Sequence, residues 1–147
     1  MNKDEAIAAL GSVDAANAAL ARAASCPPWR HAAFGALMGL LVFSAGQPVM
    51  VQSALTAACM GGVAVIAVSD RRRMGVFVNG YRKGATLPVT LALLGVMLVL
   101  IFAELHARDS GLSLATKAAL ALAAAAIGTA GSVRWQRIYR RELGVTA

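Results

Sequence analysis

Residues 49–69, VMVQSALTAACMGGVAVIAVS, run for 21 positions without an Asp, Glu, Lys, Arg or His, and residues 70–73, DRRR, close the run. At about 1.5 Å per residue, a helix of that length reaches roughly 30 Å, the thickness of a bilayer's hydrocarbon core. Apolar stretches at 31–46, 85–103 and 112–133 repeat the theme on either side, so four such segments account for most of the chain. The whole sequence agrees: 147 residues, 59% of them hydrophobic, have a mean hydropathy of +0.66, too apolar for a soluble domain of this length. The expected fold is an all-α integral membrane protein, with four transmembrane helices in an up-and-down bundle and an N-terminal amphipathic helix that is cytoplasmic or interfacial.

The connections are short. Gln47-Pro48 is an uncharged hairpin tip, and residues 104–111, ELHARDSG, are a polar tip in which Asp109 or Ser110 can cap the next helix. Residues 70–84, DRRRMGVFVNGYRKG, make the one sizeable polar connection, which Asp70-Arg71-Arg72-Arg73 opens by stopping the second span. Within it, Asn79-Gly80 between apolar residues signals a hairpin, while Gly80 would equally serve as the C-cap of a helix running on past the bilayer. Pro88 falls in the first turn of the third span, where its missing N–H costs nothing.

Upstream, residues 1–25 carry Lys3, Asp4, Glu5, Asp14 and Arg22 and cannot span. Asn2 and Glu5 have the spacing of a capping box, and Ile7, Leu10, Val13 and Leu20 share one side of a helical wheel. The acidic start lacks the basic region and continuous apolar stretch of a signal peptide. Cys26-Pro27-Pro28-Trp29 forms a hinge, with Trp29, Arg30 and His31 as anchors at headgroup level. The chain thus divides into an N-terminal helix and hinge (1–28), a transmembrane domain (29–133) and a basic tail (134–147) that prolongs the last helix.

Lys and Arg are retained on the cytoplasmic side of a membrane. The N-terminal segment, the 70–84 loop and the tail hold twelve of the fourteen, whereas Arg108 and Lys117 alone lie toward the opposite side. Both termini are therefore expected in the cytoplasm, and the Ala-rich, Arg-over-Lys usage is that of a bacterial cytoplasmic (inner) membrane protein. Helices in lipid associate through small residues, which recur here as Gly35-x3-Gly39, Ser53-x3-Ala57-x3-Gly61 and Ala124-x3-Gly128. Such stripes pack within one chain or between copies. With four consecutive alanines at 123–126, the fourth span reads as the central helix, and the bulky third as lipid-facing.

Catalytic chemistry finds no residues to carry it: nucleotide-binding, zinc-protease and serine-hydrolase motifs are all missing. No metal site or other cofactor is expected, since His31 and His106 belong to opposite sides of the membrane. Cys59 reads as a packing residue in mid-span. A proton-coupled exporter needs an ionisable group deep in a span, and the first two spans have none in their apolar cores. The nearest approach to an intramembrane pair is Glu104 at the outer end of the third span with Lys117 inside the fourth.

The strongest positive feature is the basic cytoplasmic face: Arg71, Arg72, Arg73, Arg82 and Lys83 interleaved with Phe77 and Tyr81, joined by Arg137, Arg140 and Arg141 of the tail. It suits anionic lipid or an acidic protein partner. Nucleic acid is not expected, because the charges sit where membrane topology already requires them. The functional expectation is a non-enzymatic accessory, regulatory or scaffold subunit docking through that face. The alternative is a small homo-oligomeric transporter or channel for a hydrophobic or cationic solute, with Ser44, Gln52, Ser53, Thr56, Thr116 and Lys117 along its pore.

Overall fold

The computed structural model describes residues 2–23, 27–74 and 84–142, with no strand among them. Among the described residues five helices follow one another: α1 (Lys3–Ala23), α2 (Pro28–Ala45), α3 (Val49–Met74), α4 (Leu87–Asp109) and α5 (Leu114–Glu142). Three are long and apolar enough to cross a membrane, over Val49–Arg72, Leu87–Asp109 and Leu114–Glu142. Their outer surfaces keep large apolar side chains uncovered, including Met50, Val65, Val99, Phe102 and Leu122. Exposure on that scale is an aggregation hazard in water and the ordinary state of a helix in lipid.

Local sequence sets most boundaries. At the start of α1, the Asn2 backbone N–H donates to Glu5 Oε2 at 3.1 Å, one half of the expected capping box. Proline occupies the first turn of α2 and of α4, and Gly46-Gln47-Pro48 makes the tight α2–α3 turn. Other boundaries depart from expectation. The DRRR stretch ends the apolar run but not α3, which continues to Met74, since no proline or glycine falls between Asp70 and Gly75. Likewise α4 runs through Glu104 and on to Asp109. The cap of α5 is Ser113, whose Oγ accepts the Thr116 N–H at 3.3 Å, rather than Asp109 or Ser110. The hairpin-or-helix alternative at Asn79-Gly80 lies outside the described residues.

The helix directions follow from the bonds between them. Arg30 at the start of α2 grips Asp70 near the end of α3, with Nε 2.9 Å from Oδ1 and 2.8 Å from Oδ2 and an Nη2 bond to Oδ2. His31 Nδ1 lies 2.8 Å from Ser132 Oγ of α5, while at the opposite end Lys117 Nζ donates to the Gly46 carbonyl at 3.0 Å. Glu104 of α4 rests against Gly46, so α2 and α4 point the same way and α3 and α5 the other. The up-and-down alternation is as expected. The hub is not.

α2 packs against α3, α4 and α5, whereas the main neighbour of α3 is α2 alone. The central helix is therefore α2 and not α5, and α3 flanks an α2–α4–α5 group instead of closing a square bundle. Backbone proximity explains the choice. A Cβ on Gly39 would stand 2.7 Å from the Ala121 carbonyl oxygen and 3.0 Å from Ala125 Cβ, and Gly128 lies 3.3 Å from the Gly35 Cα by the same measure. Both helices present small residues to the same seam, and α2 alone also packs against α3. Val42, Met97 and Ala124 form the core there, with Met38, Leu93, Leu100 and Ile101 packed around them. α4 turns Leu91, Leu98, Val99 and Phe102 outward, as a lipid-facing helix would.

Candidate functional site

Polar residues gather at the two ends of the bundle. At one end, that of the Arg30–Asp70 pair, α3 finishes with Arg71 and Arg72 and α5 with Arg134, Arg137, Arg140 and Arg141. Arg71, Arg72, Arg134, Arg137 and Arg141 are exposed, whereas Arg140 is half-buried with its Nε covered. Tyr139 is buried and stacks on Trp135 with ring centroids 5.2 Å apart. Glu142 reaches back to accept the Ala85 N–H, which ties the end of α5 to the turn ahead of α4. Trp29 is exposed at this level, as an interfacial anchor should be, but His31 is buried in the α2–α5 seam rather than standing at the surface. The side chain of Arg73, and residues Phe77, Tyr81, Arg82 and Lys83, lie outside the described part of the chain.

At the other end, three charged side chains converge on the α2–α3 turn. Glu104 is wholly buried, and neither carboxylate oxygen has a hydrogen-bond partner; its Cγ and Cδ lie 3.0 Å and 2.9 Å from where a Gly46 Cβ would stand. Lys117 sits in the first turn of α5, not deeper in the span, and its ammonium bonds the Gly46 carbonyl rather than the carboxylate. Arg108 Nη1 donates to the Ala45 carbonyl at 3.4 Å. Glu104 and Lys117 are thus brought to one turn, both against Gly46. His106 does not join them: it is exposed and lies 3.4 Å from Ser110 Oγ.

The polar residues expected along a pore stand at separate places within the single chain. Ser44 Oγ donates to the Leu41 carbonyl and lies 3.4 Å from Thr56 Oγ1 between α2 and α3, while Ser53 and Thr116 are exposed on α3 and α5. Cys59 is buried, its thiol donating to the Leu37 carbonyl. Among the described residues no three His, Cys, Asp or Glu side chains are placed to hold a metal ion.

Sequence reading missed two arrangements at the basic end. Arg30 and Asp70 are 40 positions apart, and nothing in the linear pattern pairs them. The other is a groove of about 500 Å³ between α4 and α5, with Arg134 at one end and Val89, Ala92, Leu93, Ala130 and Gly131 along it. The signal available was Ala130-Gly131 just ahead of Arg134 on α5, with Ala92 on α4.

No family model, no characterised protein and no solved structure matches the chain.

Proposed function

We propose that this chain is a four-span, multi-pass protein of a bacterial inner membrane, with no catalytic role, that acts as an accessory or scaffold subunit holding anionic lipid headgroups at its basic cytoplasmic end. The observation that carries the reading is the convergence of Arg71 and Arg72 with Arg134, Arg137 and Arg141 at one end of the bundle, all exposed. Such clusters contribute about 1 kcal/mol per basic residue at an anionic surface. α2 completes the fourth crossing. Its 18 residues reach about 27 Å, and its polar first turn is tolerated because Arg30 is paired with Asp70 and His31 with Ser132. α1, which leaves Ile7, Leu10 and Val13 uncovered, lies along the same surface.

Topology is tested with Cys26 and Cys59 replaced by alanine. Single cysteines at Pro48 and Ser110 should react with a membrane-impermeant maleimide on intact cells, and one at Arg141 only after lysis. Labelling of position 141 from outside would invert or abolish the arrangement.

The lipid reading is tested with Arg72→Glu, Arg137→Glu and Arg141→Glu combined. In phosphatidylcholine bilayers the unfolding midpoint of the parent should rise as phosphatidylglycerol is added, and salt near 1 M should screen the effect. The triple variant should lose about 3 kcal/mol of that gain. A parent indifferent to phosphatidylglycerol would reject lipid docking and leave a protein partner as the ligand of the face.

A second reading, a homo-oligomeric transporter or channel, draws support from α3, where Ser53, Ala57 and Gly61 face outward and a Cβ on Gly61 would meet nothing within 4 Å.

A further inference from the structure

The α4–α5 groove has the form of a lipid site. Leu93 makes its floor, seated against Gly131, where an added Cβ would stand 3.0 Å from Leu93 Cδ1. Ala92 and Ala130 leave the slot open because neither side chain extends beyond Cβ, and Val96 and Ile127 bound its deeper end. Positions 127, 130, 131 and 134 share one face of α5, as 89, 92, 93 and 96 do on α4, so the slot follows both helix axes for about 10 Å. An apolar slot parallel to the helices and open sideways fits an extended acyl chain.

Arg134 gives the slot a polar end. It stands where the apolar run of α5 stops and lines the groove together with Pro88 in the first turn of α4, so both helices pass from apolar to polar sequence at this level. Arg134 is exposed and makes no side-chain hydrogen bond or ion pair among the described residues. Arg30, by contrast, is committed to Asp70, and Arg108 to the Ala45 carbonyl and Asp109. A free guanidinium at headgroup depth offers the planar, two-pronged donor set that a phosphodiester accepts.

We infer that the α4–α5 groove binds one anionic phospholipid of the surrounding leaflet, an acyl chain lying between Ala92 and Ala130 and the phosphate on Arg134. This deepens the lipid-docking reading above by giving it one discrete, stoichiometric site beside the diffuse basic surface.

The test is native mass spectrometry of the full chain in a mild detergent, offered phosphatidylglycerol or phosphatidylcholine of identical chains. The parent should retain one phosphatidylglycerol about five-fold more than phosphatidylcholine, the factor that one arginine at an anionic headgroup supplies. Arg134→Gln should equalise the two lipids. Ala130→Trp, which fills the slot, should lower retention of both, while Ala126→Trp, exposed on α5 but off the groove, should retain lipid as the parent does. A preference for phosphatidylglycerol that survives both Arg134→Gln and Ala130→Trp would overturn the site. If those two variants match the parent while the triple glutamate variant loses its response in bilayers, the basic-surface reading stands and the groove fails. The reverse pattern supports the groove alone, and a parent blind to headgroup charge overturns both.

Discussion

Gly35→Ala is expected to lower stability by about 3 kcal/mol or to prevent accumulation of folded protein. The added Cβ would press inside van der Waals contact with Thr129 Oγ1 and the Ala125 carbonyl oxygen and stand 2.9 Å from the Thr129 backbone nitrogen. Overpacking a core by a methyl group commonly costs about 1–3 kcal/mol, and the upper end applies because two of these three atoms are backbone and cannot rotate away. The Thr129 hydroxyl is itself held, donating to the Ala125 carbonyl at 2.8 Å. Against this, alanine improves helix propensity over glycine by about 1 kcal/mol, too little to reverse the sign.

Gly61→Leu is the matched comparison. With open space around that position, a monomer should change by no more than about 0.5 kcal/mol. Unfolding by graded addition of a denaturing detergent, together with the mass of the intact particle, reads both. A neutral Gly35→Ala would mean that the α2–α5 seam opens in lipid. A Gly61→Leu variant that dissociates a larger particle would identify the α3 stripe as a contact between copies and strengthen the channel reading.

Lys117→Met should cost about 3 kcal/mol, and most of that loss should return when Glu104→Gln is added. Glu104 has no exposed surface and no hydrogen-bond partner, and of the two cations at the same turn Lys117 bonds the carbonyl of Gly46, the residue Glu104 packs against, while Arg108 bonds that of Ala45. Removing the neutralising partner of a buried charge costs about 3–5 kcal/mol, whereas replacing both members by neutral groups is close to neutral. The lower figure is appropriate because the ammonium bonds the Gly46 carbonyl and not the carboxylate itself. The readout is the coupling energy of a double-mutant cycle in the same detergent titration. A loss near 1.5 kcal/mol with no coupling would equal the charged Gly46 hydrogen bond alone, about 1.5–3 kcal/mol, and would show that Glu104 stands there uncharged.

Much of this architecture was legible in the linear chain because hydrophobic runs, prolines and basic clusters act locally. The run at 49–69 marked α3, Pro88 marked the start of α4, and Asn2 with Glu5 marked the start of α1, since each operates within one or two helical turns. The basic residues of α3 and α5 were likewise expected on one side, because alternating direction forces alternate connections to the same end. Helix ends were less legible. Nothing in Asp70-Arg71-Arg72-Arg73 or Glu104–Asp109 breaks a helix, so the end of the apolar run and the end of the helix are separate events.

By itself the sequence determined a set of apolar helices, their order and the end at which positive charge collects. Only the tertiary structure decided which helix is central, because that depends on how closely two backbones approach. Gly35 and Gly39 meet Ala121, Ala125 and Thr129 across more than eighty residues of chain, while the equally small Ser53, Ala57 and Gly61 face outward. It also decided that Arg30 serves Asp70 whereas Arg134 stands free over a groove. A residue's type fixes the bonds it can make, and the fold fixes which partners come within reach.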